Sequence, residues 1–121
     1  MITTVRTALG QLGYKVHQTR QEKIGTNELV VILDDVSVAP LEIADHYIAT
    51  CWILIEWDTM QPDNIPTQIV SLISGLEGKI TEITGVLCKA TFKFIQSEVN
   101  QLGLMYRITI TIEYLEEINL D

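Results

Sequence analysis

Hydrophobic and polar positions alternate most regularly over residues 104–116, where Leu104, Tyr106, Ile108, Ile110, Ile112 and Tyr114 are separated by Met105, Arg107, Thr109, Thr111 and Glu113. A period of two sustained this long is the signature of a β-strand with one face turned inward. At ~3.3 Å per residue the segment reaches roughly 43 Å. A compact domain of 121 residues is expected to measure only about 35 Å across. The strand is therefore expected to outrun its own core.

The same reading places the other elements. Ile2, Val5, Leu9 and Leu12 recur at helical spacing, with Gly13 positioned to end a first helix. Residues 15–18 suit a brief strand, and the polar stretch 19–27 reads as a loop that turns the chain back. Residues 29–38 form an aliphatic strand that passes through Asp34 and Asp35, where a bulge or sheet edge is expected, and Pro40 marks its end. Residues 46–57 form a second strand that is apolar on both faces. Tyr47, Ala49, Cys51, Ile53, Ile55 and Trp57 lie on one face, and Ile48, Trp52 and Leu54 on the other. Such a strand has to be covered twice.

After a break containing Pro62 and Pro66, the residues Ile65, Ile69, Leu72, Ile73, Leu76 and Ile80 trace a helical stripe, with Asp63 or Asn64 as its cap. Gly75 and Gly78 each weaken a helix interior by about 1 kcal/mol relative to Ala, which predicts a close approach to the sheet or an early helix end. Residues 86–96 form a strand joined to the long one by the polar connection 97–103, giving a long hairpin. The order of elements predicts an α+β fold: an antiparallel sheet with long hairpins and two helices packed on one face, in a single domain over residues 1–121.

Charge adds a directional feature. The net charge is −8, yet residues 1–30 hold Arg6, Lys15, Arg20 and Lys23 against only Glu22 and Glu28. Between Lys23 and Lys79 there is no Lys or Arg, while Glu28, Asp34, Asp35, Glu42, Asp45, Glu56, Asp58, Asp63 and Glu77 accumulate. An acidic surface built from these residues would repel polyanions or serve as a solvated face. Binding of nucleic acid is disfavoured, because neutralising phosphates needs clustered basic residues. The hydrophobic fraction of 47% supports a real core. The lack of long apolar runs suggests a soluble chain without a signal segment or membrane association.

No catalytic, cofactor or metal site is expected. Cys51 and Cys88 sit in apolar runs and read as buried free thiols of a reducing compartment. His17 and His46 lack the spaced neighbours of a zinc site. Asp34, Asp35, Glu42 and Asp45 supply oxygen ligands of the kind calcium prefers, but not at the spacing of a calcium loop. A Cys/His nucleophilic pair is formally available, though buried structural thiols are the more common use of such residues.

A strand longer than its core and a strand apolar on both faces ask for neighbours, and the simplest neighbour is another copy of the chain. In element order the chain resembles the tail terminator, or tail-completion, proteins of long-tailed bacteriophages. The resemblance covers the opening helix from Val5 to Leu12, a first hairpin over 29–57, a second helix over 64–80 and a closing hairpin over 86–116. It lies in topology, not in a motif. It implies a non-enzymatic homo-oligomeric ring, commonly a hexamer, which caps the tail tube protein and meets the head-tail connector protein in the neck of the virion. Such rings are assembled in the host cytoplasm, and DNA passes through them without specific binding. On that view Asp34, Asp35, Glu42 and Asp45 line or approach the channel, and Trp52, Leu54, Leu104 and Tyr106 pack subunits or core. Another neck or connector component, or a ferredoxin-like ligand-binding regulatory module, is the alternative.

Overall fold

The computed structural model describes residues 2–85, 90–99 and 105–120. It is an α+β fold. Helix α1 (Ile2–Gln11) leads into the short strand β1 (Lys15–His17), then β2 (Glu28–Pro40) and β3 (His46–Thr59). A short 3-10 turn (Pro62–Asn64) precedes α2 (Ile65–Thr84), and β4 (Ala90–Val99) and β5 (Tyr106–Asn119) close the chain. The five strands form one sheet in the order β1-β2-β3-β5-β4.

Strand pairing is antiparallel across β2–β3, β3–β5 and β4–β5. At one edge it departs from the expected all-antiparallel sheet, because β1 runs parallel to β2, with Lys15, Val16 and His17 opposite Glu28, Leu29 and Val30. The loop after β1 returns the chain to its starting end before β2 begins, so the two strands point the same way. Gly13, at φ +100°, makes the turn out of α1 that allows this, a conformation a Cβ would oppose.

Both helices cover one face. Val5, Ala8 and Leu9 of α1 and Ile69, Leu72, Ile73, Leu76 and Ile80 of α2 pack in a single cluster with the inward positions of the sheet. Those positions are the ones the alternation picks out: Cys51, Ile53, Ile55 and Trp57 on β3, and Ile108, Ile110 and Ile112 on β5. Ile53 opposes Ile112 and Ile55 opposes Ile110, so each rung places two aliphatics side by side under the helices.

Helix α2 runs through both of its glycines. A Cβ on Gly75 would meet Leu12 Cδ1 at 3.5 Å, so the close approach at this point is to the end of α1 and not to the sheet, while Gly78 faces open space. Asn64 occupies the cap position without a side-chain cap bond; Pro66 supplies the preset first turn. The helix ends at Gly85, φ +72°, whose N–H bonds Thr81 O at 2.9 Å.

Length decides what the helices leave bare. Twenty residues of α2 rise about 30 Å, whereas the fourteen of β3 or β5 reach ~46 Å. One end of the β2–β3–β5 sheet therefore runs past the layer that covers the rest.

Candidate functional surface

The uncovered end is a three-stranded arm. Pairing continues out to Pro40–Tyr47 and His46–Asn119, so the arm is ordered by its ladder and not by a core. A register shift between Leu33 and Asp35 makes Asp34 the extra residue of a bulge at the arm's base. From Leu33 to Pro40 every residue of β2 is exposed. Val36 and Val38 are 46% and 57% exposed, and Leu41, Ile43, Leu115 and Leu120 are exposed nearby. Aliphatic side chains at strand spacing on an uncovered sheet are unusual for a surface facing only water.

The arm also presents a free edge. β1 pairs with β2 only as far as Val30. The next carbonyl, Val31 O, accepts hydrogen bonds from Arg6 Nε and Nη2 of α1, at 3.2 and 2.9 Å. Beyond it, among the described residues, no strand pairs with that side of β2. A long unpaired edge is a template for adding a further strand.

The four acidic residues picked out by sequence all lie on this arm, exposed, but at two levels. Asp34 and Asp35 are at its base, where Asp35 pairs with Trp52 across the rung and its Oδ1 accepts the Val36 N–H at 2.8 Å. Glu42 and Asp45 are in the turn at its tip. Five residues of strand, about 17 Å, separate the pairs. Asp45 holds a left-handed φ of +63° and its carbonyl accepts the Leu120 N–H at 2.9 Å, tying the tip to the end of β5. Among the described residues, no three of the His, Cys, Asp and Glu side chains are placed to hold a metal ion.

The apolar candidates divide. Trp52, half-buried, and Leu54, buried, lie on the sheet face opposite the helices. Tyr106 packs against the helix-side core. Leu104 lies outside the described residues, as does Cys88. Cys51 is buried, and burial pushes its thiol above the usual range, which disfavours the reactive thiolate.

The far end of the sheet holds features that no sequence pattern marks. Arg107 and Asp58 face each other across the first rungs of β5 and the last of β3. Arg107 Nε and Nη2 donate to the two Asp58 carboxylate oxygens, and Nη1 and Nη2 donate to the carbonyls of Gln21 and Glu22, each at 3.0 Å. Asp58 Oδ2 also accepts the Ile24 N–H at 2.9 Å. This network pins the 19–27 loop to the sheet and buries Ile24. Two rungs inward on the same face, Glu56 is only 3% exposed; its Oε2 accepts the Thr109 hydroxyl at 3.0 Å and lies 3.6 Å from Arg20 Nη1. Glu56 Oε1 and Thr111 Oγ1 are buried and have no hydrogen-bond partner among the described residues, a condition few side-chain atoms tolerate.

Between that loop, the end of β3 and the start of α2 lies a cleft of about 730 Å³. Its floor includes Trp57, Leu29 and Leu72, with Ile24 and Met60 at the sides. Three polar side chains inside are joined to one another: Trp57 Nε1 donates to Gln68 Oε1 at 3.0 Å, and Gln68 Nε2 to Thr59 Oγ1 at 3.2 Å. At the margin, His17 Nε2 lies 2.6 Å from Glu28 Oε1. That hydrogen bond holds the Glu28 carboxyl below its ordinary range, against a smaller opposing effect of desolvation.

The pairs Arg107–Asp58 and His17–Glu28 span 49 and 11 residues of sequence, and nothing in the spacing announces either. No protein-family model and no curated protein sequence matches the chain. No helix among the described residues is long and apolar enough to cross a membrane.

Proposed function

We propose that the chain is a non-enzymatic structural subunit that assembles with copies of itself into a ring, and that this ring is of the tail terminator kind: it caps a phage tail tube and meets the head-tail connector. The observation that supports the reading is the arm. A ladder that continues past its helices, with Val36, Val38, Leu41 and Ile43 exposed beside a β2 edge that no strand pairs among the described residues, is stable surface that gains from a neighbour. Heterologous contacts between identical copies close into rings when the rotation closes.

Charge is compatible with the channel of such a ring. The arm gathers Asp34, Asp35, Glu42, Asp45, Glu113, Glu116 and Glu117 without a single Lys or Arg in 33–52 or 112–120, so an inward-facing arm would let DNA pass without gripping it. The ring size of six, the tube and connector as partners, and a place in the virion neck belong to the same proposal. The cleft is the one observation that favours a ligand-binding module instead, although Trp57, Gln68 and Thr59 inside it are bonded to one another.

Mass in solution with negative-stain images tests assembly: a monodisperse monomer at the highest soluble concentration overturns the ring. The channel is tested on assembled rings of Asp34→Lys/Asp35→Lys. DNA affinity should rise, and to fall again with added salt; rings with unchanged affinity place the pair elsewhere.

A further inference from the structure

The arm's tip and the cleft stand at opposite ends of the same strands. Because β2 and β3 are antiparallel, Leu29 and Trp57 border the cleft while Pro40 and His46 border the tip. Eleven residues of strand, about 36 Å, separate Leu29 from Pro40, so a chain cannot fill its own cleft with its own tip. Two copies can do so, head to tail.

The tip is built to be presented. Leu41 N–H donates to His46 O at 2.9 Å, His46 N–H donates to Ile43 O at 3.2 Å, and Leu120 N–H holds Asp45 O. A turn fixed this way loses little further entropy on binding, yet it leaves Ile43 63% exposed and Leu41 exposed beside it. The cleft offers an apolar floor of Trp57, Leu29 and Leu72, and its volume lies within the range of sites that enclose a small group of side chains.

We propose that the hairpin tip of one copy, led by Leu41 and Ile43, seats in the cleft beside Trp57 of the next copy. The inference rests on the self-assembly reading and names the contact that would carry it. Charge supports the direction of docking. The tip brings Glu42 and Asp45, and the exposed Lys15 and Lys23 stand at the cleft end, beside Asn27 and Ile24. The two carboxylates nearest the cleft are already engaged, Glu28 with His17 and Asp58 with Arg107. Glu22 and Asp63, also exposed at that end, oppose the tip's charge. Burial of the two aliphatic side chains therefore supplies the attraction, and the lysines set the orientation. A contact between unlike surfaces is heterologous, so a linked pair still has one tip and one cleft free and assembly can proceed to closure.

The test adds one cysteine to each of two variants, Ile43→Cys at the tip and Thr67→Cys on the cleft wall, with the unsubstituted protein, which carries Cys51 and Cys88, as the control. Mixed under mild oxidation, the two proteins should give a heterotypic disulfide dimer, and the double variant a ladder of linked oligomers. Neither variant alone should link to the same extent. Ile43→Asp, checked for native secondary structure by circular dichroism, should raise the dissociation constant of the assembly about tenfold or more, as loss of a buried anchor does. If the unmodified protein assembles but the mixed pair does not link, or Ile43→Cys links only to itself, the tip–cleft contact is overturned and the ring stands. If the Thr67→Cys thiol reacts with a maleimide as fast in the assembly as in dilute monomer, the cleft is empty there and open to another occupant, with the same consequence. If the protein never associates, both readings fail.

Discussion

Arg107→Ala isolates the device that builds the cleft end of the molecule. The guanidinium donates to both Asp58 oxygens and to the carbonyls of Gln21 and Glu22, so its loss strands a carboxylate that is 9% exposed and releases the loop at two points. Breaking a buried pair by removing one partner costs about 3–5 kcal/mol. Arg107 is 23% exposed and water can reach part of the vacated site, so the loss should fall near the lower end, about 3 kcal/mol. Measured by urea unfolding at one fixed protein concentration, with a slope of about 1.5–2 kcal/mol/M, that moves the midpoint down by ~1.5–2 M. A second substitution tests the cause. Asp58→Asn in the Arg107→Ala background removes the stranded charge while an acceptor remains for the Ile24 N–H, and should restore about 1–2 kcal/mol. Hydrogen exchange adds a local readout: the Ile24 amide should lose protection in Arg107→Ala while the amides of α2 keep theirs. A midpoint shift equivalent to less than about 0.5 kcal/mol, typical of an exposed ion pair, would refute the argument, as would an Asp58→Asn substitution that recovers nothing.

Two further outcomes follow from the geometry. Gly13→Ala should destabilise by about 1 kcal/mol or more, because φ is +100° there, whereas Gly75→Ala, which would make only ordinary contact with Leu12, should stabilise by up to about 1 kcal/mol; thermal melts that give the two the same sign contradict the account. The depressed Glu28 carboxyl contributes stability that is complete above the ordinary glutamate value of 4.5 and is lost as pH falls through its lower folded value. Denaturation midpoints should thus decline on acidification below 4.5 more steeply in the wild type than in Glu28→Gln, and parallel curves would remove Glu28 from the explanation.

Periodicity made the helices and the central strands legible. The stripe from Ile69 to Ile80 and the alternation from Tyr106 to Tyr114 depend only on neighbours a few residues away, and both faces came out as read. The bulge at the acidic pair and the stop at Pro40 were legible for the same local reason. Element ends were less so: β5 runs on to Asn119 and α2 to Thr84 through two glycines, because ladder pairing and packing against α1 outweigh the weak preferences of single residues.

By itself, then, the sequence determined the α+β class, the inward faces and a strand too long for its core. Tertiary structure decided the parallel placement of β1, the Arg6 block on the edge at Val31, the separation of the acidic residues into base and tip, and the cleft closed by Arg107 and Asp58. The physical reason is range. A side chain's face follows from the backbone's own period, whereas a guanidinium meets a carboxylate 49 residues away only after the register of every intervening strand is set.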